Sequence, residues 1–375
     1  MENKIRKNCI FCENELRKDF FSNDLNNYVA HYSVNQDANN DDMQNIPFNV
    51  CVCDYCKTPQ LKYLGDLNEI YKLNHADSTG KIMNSLHREN LSLILKYKDS
   101  ITNIIEIGSS KGILADEVIK NIDLTYYIIE PSYFGDINDK KIIIPDFYEN
   151  VDDSVINANT MVISHVFEHF YQPMEILNKI SNNKKIENFF LVFPDLEYYI
   201  NNDVLHVLNT EHTFYVDNQF LINLLKHVGF DLIEQKNHEN HSVLFYFKRN
   251  DSEINNNKID FKNTNYDLDI YYSKIKNTVD KFNTVMYENK DKEIYLWPAS
   301  IHSLYLLNFG LKIEGVTGFL DNSKLKIDKK MYGTNLTVFD FKDKVTEKDD
   351  NVIILVSGGV FNREVQHQLT INKSI

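Results

Sequence analysis

Short apolar runs alternate with amphipathic helical segments between residues 103 and 249, and this alternation constrains the fold more than any other feature of the chain. Four runs have the length and composition of buried strands: 103–108, 125–131, 160–166 and 188–194. A later pair, at 230–235 and 242–248, is typical of an antiparallel hairpin. The pattern predicts an α/β domain with a mostly parallel sheet that ends in this hairpin.

All five cysteines lie in the first 56 residues: Cys9, Cys12, Cys51, Cys53 and Cys56. Cys9-x2-Cys12 and Cys53-x2-Cys56 can each present two thiolates to one tetrahedral zinc ion, and four thiolates predict a closed structural site. Cys51 is left out because Cys53 and Cys56 repeat the spacing of the first pair. A redox pair and free structural thiols are the alternatives.

Four segments follow from these patterns and from a polar stretch near residue 250. They are a zinc-binding module (1–75), an α/β domain (76–249), a linker (250–265) and a C-terminal domain with a further α/β pattern (266–375). A length of 375 residues is enough for each of the larger parts to bury its own core.

Composition excludes several function classes. With 40 basic and 54 acidic residues, a formal net charge of −14, the chain lacks the basic face that general nucleic-acid binding needs. No apolar run approaches the roughly 18 residues of a membrane helix. The charged start lacks the apolar stretch of a signal peptide. We therefore expect a cytoplasmic protein with no nucleic-acid or membrane partner.

A cofactor loop is predicted where the first strand of the α/β domain turns into a helix. Glu106, Gly108 and Gly112 lie at this turn, and Glu130 ends the next strand, where nucleotide-binding folds place the carboxylate that holds the ribose. Because the loop lacks the full GxGxxG pattern, S-adenosylmethionine (SAM) is favoured over NAD. Asp146, after a third strand, is a candidate for adenine contact; a turn or cap role is the alternative.

Histidines and carboxylates follow two further strands, at the edge of the sheet where open α/β folds bind ligands. His165, Glu168 and His169 follow the strand at 160–166. His169 is predicted near substrate, with a packing histidine or a second zinc pair with His165 as alternatives. Glu211 and His212 come later and can act as an orienting carboxylate and a general base. Two solvent-facing loop residues are the alternative for this pair.

Together these motifs resemble the nucleotide-sugar C-methyltransferase family, whose members join a zinc-binding domain, a class I SAM-dependent methyltransferase domain and a C-terminal Rossmann-like domain. The resemblance covers nearly the whole chain. It rests on CxxC with CDYCKTPQL, EIGSSKG with IEPS, SHVFEHF, TEHTFY, and LWPASIHSLYLLNFG with GFLDNSKLKIDKKMYGT.

The resemblance implies a role for each matching position. The zinc ligands would be Cys9, Cys12, Cys53 and Cys56, and the SAM-binding residues Glu106, Gly108, Ser109, Gly112 and Glu130. The general base would be His212, with Glu211 beside it and His169 nearby. The sugar nucleotide would lie between the central and C-terminal domains, near Trp297, Ser300, His302 and Asp321. One position departs from the family: Asn209 stands where a tyrosine is usual, three residues before the base.

The expected activity is therefore methyl transfer from SAM to a nucleotide-activated keto-sugar, through an enolate formed by His212. A sugar O-methyltransferase with the same SAM site is an alternative, because an asparagine is a weaker oxyanion donor than a tyrosine. A catalytically inactive, zinc-containing sugar-nucleotide-binding protein and an NAD-dependent sugar-modifying enzyme are further alternatives. We expect a monomer or a homodimer.

Overall fold

The computed structural model describes the following residues: 4–16, 19–23, 34–35, 47–67, 81–202, 204, 207–209, 211–239, 241–250, 252, 259–263, 267–324, 326–331, 334–344 and 351–357. The chain divides into two compact units. The first unit comprises Met1–Phe20, Val50–Glu197 and His212–Asn265, and the second comprises Phe21–Asn49, Tyr198–Glu211 and Tyr266–Ile375.

The described helices and strands alternate over most of the chain. The helices are α1 Lys81–Lys96, α2 Ile113–Asn121, α3 Pro173–Asn182, α4 Leu196–Asn201, α5 Asn218–His227, α6 Leu268–Glu288, α7 Ile301–Asn308 and α8 Phe341–Lys344. The strands up to the hairpin are β1 Lys4–Ile5, β2 Asp19–Asn23, β3 Val34–Asn35, β4 Phe48–Val52, β5 Pro59–Leu61, β6 Tyr63–Leu64, β7 Ile104–Ile107, β8 Tyr126–Ile129, β9 Lys141–Ile144, β10 Thr160–Ser164, β11 Asn188–Pro194, β12 Phe230–His238 and β13 Ser242–Arg249. The remaining strands are β14 Glu293–Trp297, β15 Gly318–Asp321, β16 Lys330–Met331, β17 Val338–Asp340 and β18 Val352–Val356.

A seven-stranded sheet forms the centre of the first unit, in the order β12-β13-β11-β10-β7-β8-β9. Strands β7 to β11 are parallel, with Thr160 of β10 opposite Ile104 of β7 and Asn188 of β11. Strand β13 runs antiparallel to both β11 and β12. This is the predicted α/β architecture, a mostly parallel Rossmann-like sheet with a terminal antiparallel hairpin, and the prediction of fold class is confirmed.

Both faces of this sheet are buried because its strands are apolar at successive positions. Ile105 and Met161 point into one core, with α3 and α5, and Ile104 and Val162 point into the other, with α1 and α2. Side chains alternate between the two faces of a strand, so a continuous apolar run supplies both cores at once. The helices on each face bury the sheet and leave its edges for ligands.

The cysteine-bearing segments also belong to the first unit. Strand β1 pairs with β6, and β4 pairs with β5 through Val50 and Leu61. Phe11 makes edge-on ring contacts with Phe214 at 5.1 Å and with Phe220 of α5 at 5.2 Å between centroids. These aromatic contacts anchor the cysteine-bearing segments to the core of the α/β sheet.

Residues 259–263, which fall within the predicted linker, belong to the first unit. Ile259 is buried, and the backbone N–H of Asn263 donates to the carbonyl of Cys56 at 3.0 Å. The Asn263 side chain also donates to Thr58 Oγ1 at 2.7 Å. The Asn263 amide is thus used for buried hydrogen bonds and not for solvation.

The second unit has its own four-stranded parallel sheet, in the order β17-β15-β14-β18. Tyr295 and Leu320 are fully buried within it. Helix α6 begins where the Asp267 side chain accepts a hydrogen bond from the N–H of Ile270. The Rossmann-like prediction for the C-terminal part is thus matched by a parallel α/β sheet. Among the helices that the structure describes, none has the length and apolar character needed to span a membrane.

Candidate functional site

The four cysteines of the two CxxC motifs meet in one buried cluster. Cys9, Cys12, Cys53 and Cys56 are at most 2% exposed, and their sulfurs all lie within 4.8 Å of one another. The Sγ atoms of Cys9 and Cys56 are 3.5 Å apart, as are those of Cys12 and Cys53. Zn–S bonds of about 2.3 Å at tetrahedral angles place sulfurs about 3.8 Å apart. Cys51 lies outside the cluster, and its thiol donates to Asp19 Oδ1 at 3.1 Å.

The two CxxC motifs have the same local backbone. The N–H of Glu13 donates to the carbonyl of Cys9, and the N–H of Lys57 donates to the carbonyl of Cys53, each at 3.0 Å. Glu13 and Lys57, which follow the second cysteine of each motif, both have left-handed φ angles, 60° and 61°. The equal spacing in sequence therefore gives two equivalent turns, each presenting two sulfurs to one point.

Polar groups next to the sulfurs suit thiolates. The side-chain amide of Asn14 donates to Cys12 Sγ and that of Gln60 donates to Cys9 Sγ, both at 3.3 Å. N–H donors to sulfur stabilise its negative charge, as outer ligands commonly do in metal sites. The donor set, its burial and its spacing fit a structural Zn²⁺.

The first residue of the cofactor loop, Glu106, is buried at the end of β7. Its Oε2 accepts hydrogen bonds from Ser109 Oγ at 2.8 Å and from the Tyr126 hydroxyl at 3.0 Å. Burial raises the pKa of Glu106 to about 7, although both hydrogen bonds oppose this shift. Glu106 thus ties the loop residue Ser109 to the sheet.

The two glycines of the loop have left-handed φ angles, 74° at Gly108 and 75° at Gly112. A Cβ on Gly108 would lie 2.3 Å from Cγ2 of Val166, and one on Gly112 would lie 2.8 Å from the Tyr133 hydroxyl oxygen. From the sequence, Gly108 is predicted to belong to the cofactor loop. The structure shows that it also admits the side chain of Val166, which follows β10.

Glu130, at the end of β8, is held by the two loops beside it. Its Oε2 accepts from the N–H of Ser110 at 2.9 Å, and its Oε1 accepts from the N–H of Ser132 at 3.1 Å. Burial raises the pKa of this carboxyl, and the two N–H donors oppose the shift. Each oxygen keeps a lone pair for a further donor, so the carboxylate fits the hydroxyls of a ribose.

Asp146 follows β9, as predicted, and has a local role. Its Oδ1 accepts hydrogen bonds from the N–H of Phe147 at 2.7 Å and from Asn150 Nδ2 at 2.8 Å. These bonds support the turn interpretation. Contact between Asp146 and the adenine of a cofactor stays a prediction.

The loops just described lie beside the point where the order of the sheet reverses. Strand β7 lies between β8 and β10. From β7 the chain continues to β8 and β9 on one side of the sheet, and the later strands β10 and β11 follow on the other side. Open α/β sheets bind ligands outside the carboxyl ends of the strands at such a switch point. The cofactor loop follows β7, and the segment His165–His169 follows β10.

Glu168, His169 and His212 come together at this edge, and their candidate ligand atoms lie within 4.8 Å of one another. The rings of His169 and His212 meet edge-on with centroids 4.9 Å apart. The Glu168 side chain is 1% exposed and that of His169 is 15% exposed. Burial lowers the pKa of His212 to about 3, so its imidazole is neutral at pH 7. Glu168 has no role among the sequence-based predictions, and its place next to His169 is the signal that points to it.

His165 holds Glu168 from the other side. Its Nδ1 is 3.3 Å from Glu168 Oε1, and its Nε2 is 2.8 Å from Ser242 Oγ. His165 has a left-handed φ of 53°, which a non-glycine residue rarely adopts. Strained backbone of this kind is concentrated at functional sites.

The segment after His212 is fastened to the segment that contains Glu168 and His169. The N–H of Thr213 donates to the Glu168 carbonyl at 2.8 Å, and its hydroxyl donates to the Phe170 carbonyl at 2.6 Å. The N–H of Leu61 in β5 donates to the Thr213 carbonyl at 3.0 Å. A strand next to the cysteine cluster therefore also supports the position of His212.

Arg6 completes this support and was missed by the sequence analysis. Its guanidinium donates to the carbonyl and hydroxyl of Thr213, to the Tyr171 carbonyl at 2.8 Å and to the Leu61 carbonyl at 3.3 Å. Burial lowers the pKa of Arg6 to about 10, which leaves it charged at neutral pH. Nothing in the sequence around Arg6 indicates contacts with residues about 200 positions later.

Glu211 lies in the second unit and is not a member of the histidine cluster. It is buried, and its N–H donates to Oδ1 of Asn209 at 2.9 Å. Asn209, the residue at the family's tyrosine position, thus caps its own turn with the side-chain oxygen.

The resemblance implies four residues near the sugar nucleotide, and in the structure they have different local roles: Trp297, Ser300, His302 and Asp321. Trp297 is 2% exposed with its ring 4.2 Å from that of Phe341, so it packs in the core of the second unit. Ser300 caps α7 by accepting from the N–H of His302 at 3.3 Å. Asp321 pairs with Lys326 at 2.9 Å.

Comparisons with known proteins give structural similarity alone. No protein-family model matches the chain, and no curated protein matches it. Similar solved structures include the plantazolicin methyltransferase BpumL in complex with a monoazolic desmethylPZN analog and S-adenosylhomocysteine (SAH), at 12% identity and a TM-score of 0.37 over 44% of this chain and 82% of that chain. The N-methyltransferase NodS from Bradyrhizobium japonicum with SAH has 11% identity and a TM-score of 0.34 over 47% and 92%. The mitomycin 7-O-methyltransferase MmcR has 16% identity and a TM-score of 0.36 over 48% and 60%. Similarity at this level assigns no cofactor or substrate to the chain.

Proposed function

We propose that the protein is a SAM-dependent methyltransferase that acts on a nucleotide-activated keto-sugar. The observation that carries this proposal is the position of Glu130. Its carboxylate is fixed by the N–H groups of Ser110 and Ser132, beside the glycine loop and next to the switch point of the sheet.

Bound SAM would supply an electrophilic methyl group. The residues that would hold it are Glu106, Gly108, Ser109, Gly112, Glu130 and Asp146. Glu130 would accept hydrogen bonds from the ribose hydroxyls, and the glycine loop would follow the remainder of the cofactor. The N-terminus of α2, directly after Gly112, would favour a negatively charged group.

His212 is the proposed general base, and His169 orients it from the neighbouring loop. A neutral imidazole is the form that accepts a proton, and burial keeps His212 neutral. For a keto-sugar, the proton would come from the carbon next to the ketone, and the resulting enolate would be the nucleophile. We expect His212 to contribute about 10² to 10⁴ in rate, with the remainder coming from positioning.

Methylation of a hydroxyl is the second candidate, and Asn209 favours it. The family tyrosine is absent, and the Asn209 oxygen is used by the N–H of Glu211. An enolate would therefore lack the phenol that the resemblance implies, whereas a hydroxyl acceptor has no need of one.

A deuterium experiment separates the two acceptor types. The protein is incubated with SAH and nucleotide-activated keto-sugars in D₂O, and carbon-bound deuterium is measured by mass spectrometry. If the protein methylates carbon, deuterium should exchange into the carbon next to the ketone. The variant His212→Asn should lower the rate of this exchange by at least about 10²-fold. With deuterium-labelled SAM, transfer of label without such exchange would support the O-methyl product. If no sugar shows either deuterium exchange or label transfer, the proposal is overturned in favour of an inactive binding protein.

The proposal includes a structural zinc ion on the four clustered cysteines. It also includes a nucleotide-sugar partner and a cytoplasmic monomer or homodimer. The cysteine-bearing segments would stabilise the first unit through Phe11 and would position the chain after His212 through β5.

A further inference from the structure

The Glu168 carboxylate has little to compensate its charge within the part of the chain that the structure describes. Its side chain is 1% exposed, and neither oxygen accepts a hydrogen bond from a described residue. Its ion-pair partners among those residues are two histidines, with His165 Nδ1 at 3.3 Å and His169 Nε2 at 4.0 Å. Because burying an uncompensated charge is costly, such groups usually have a cation or hydrogen-bond donors next to them.

Two imidazoles face the same point as this carboxylate. One oxygen of Glu168 and one ring nitrogen each of His169 and His212 lie within 4.8 Å of one another. Ligands about 2.1 Å from a shared cation are separated by about 3.0 to 3.4 Å. Rotation about the side-chain bonds of Glu168 can bring its oxygen from within 4.8 Å of the imidazole nitrogens to this shorter distance.

The backbone holds these donors near each other. The N–H of Thr213, directly after His212, donates to the carbonyl of Glu168 at 2.8 Å. The strained turn at His165 places Glu168 and His169 directly after β10. Two distant parts of the sequence therefore present their donors to one place without needing the cation to draw them together.

We propose that Glu168, His169 and His212 bind one divalent first-row transition-metal cation. Two imidazoles and one carboxylate suit Zn²⁺, Mn²⁺ or Fe²⁺, whereas Mg²⁺ prefers oxygen ligands alone. Three protein ligands leave coordination positions open, and the His169 side chain, which is 15% exposed, gives solvent access to one side of the group.

The open positions would take oxygen atoms of the methyl acceptor, and this part of the inference rests on the proposed function. A cation there would polarise a ketone or lower the pKa of a hydroxyl. The cation and a proton compete for the same lone pair of His212. His212 therefore acts as general base in the cation-free protein, and the cation activates the acceptor when it is bound.

The test uses Mn²⁺, because thiolates prefer softer ions and the cysteine cluster keeps its zinc. Protein with its zinc in place is titrated with Mn²⁺, and free Mn²⁺ is followed by electron paramagnetic resonance. We expect one Mn²⁺ bound per chain, with affinity at least tenfold weaker in Glu168→Gln and in His169→Ala. His227→Ala, which removes an imidazole from α5 outside the cluster, should bind as the wild type does.

Thermal unfolding gives a second readout that does not rely on the measurement of free Mn²⁺. Glu168→Gln removes a buried charge, so without Mn²⁺ its Tm should equal or exceed that of the wild type. Addition of Mn²⁺ should raise the Tm of the wild type but not of this variant. Absence of Mn²⁺ binding by the wild type, or equal binding by Glu168→Gln, would overturn the proposal. SAH binding is measured on the same samples, so that failure of the methyltransferase proposal is seen separately.

Discussion

Replacement of Arg6 tests whether the cysteine-bearing segments position His212. In Arg6→Met, Thr213, Tyr171 and Leu61 lose the donor that joins them. Hydrogen bonds to a charged group contribute about 1.5 to 3 kcal/mol each, but Thr213 O keeps the Leu61 N–H and removal of a buried charge recovers desolvation energy. We expect a net loss of about 3 kcal/mol, which lowers Tm by about 6 to 12 °C for a unit of this size.

Catalysis should fall further than stability alone explains. A displacement of about 1 Å in a catalytic group can cost about 10²-fold in rate, so kcat of Arg6→Met should fall by about that factor at temperatures where it is folded. The dissociation constant of SAH should change by less than about threefold, because Arg6 contacts none of the cofactor-loop residues.

Arg249 provides a matched control for this variant. Its guanidinium also donates to backbone carbonyls, among them those of Ile186 at 2.5 Å and Ser181 at 3.0 Å. Arg249→Met should lose stability to a similar degree and keep its kcat. Calorimetry measures the loss of stability and turnover measures kcat. If the two variants have equal kcat, the positioning argument is refuted.

Three further changes test other parts of the account. Gly108→Ala should lose about 2 to 4 kcal/mol from strain at φ 74° and from its contact with Val166, and a second change, Val166→Ala, should recover part of this in denaturant unfolding. Burial raises the pKa of Glu106 to about 7 in the folded protein. The contribution of this residue to the free energy of unfolding is therefore greatest below its unfolded pKa near 4.5, and it falls as pH rises through 7. Glu106→Gln should therefore gain up to about 3 kcal/mol relative to wild type between pH 5 and pH 8, and a constant difference would contradict this. Cys53→Ser should lose the bound zinc by elemental analysis, whereas Cys51→Ser should keep it.

Elements with strong local signals were predictable from the sequence. The apolar residues of 78–98 recur at helical spacing and predict a helix there, which is α1, Lys81–Lys96. The amphipathic pattern at about 267–288 likewise predicts a helix, which is α6, Leu268–Glu288. The hairpin was predictable because two apolar runs stand close together, and the cysteine cluster because its two halves share one spacing. In each case the signal lies within one short segment.

Contacts between distant segments were not predictable. Arg6 contacts Thr213, 207 positions away, and its own neighbours in sequence give no sign of this. The need for Gly108 depends on Val166 of another loop. Asn263 lies in a stretch whose polar composition suggests solvent, yet its amide is buried. These features arise from tertiary packing, which a single sequence with local patterns does not contain.

Calorimetric titration with SAH tests the central claim most directly, because it asks for the cofactor site without knowledge of the sugar. We expect saturable binding by the wild type and by Asp123→Ala, which removes an exposed carboxylate elsewhere on the first unit. Glu130→Ala should bind at least about tenfold more weakly, since it loses the ribose acceptor. Absence of SAH binding, equal binding by Glu130→Ala, or saturable binding of NAD in its place would contradict the methyltransferase account.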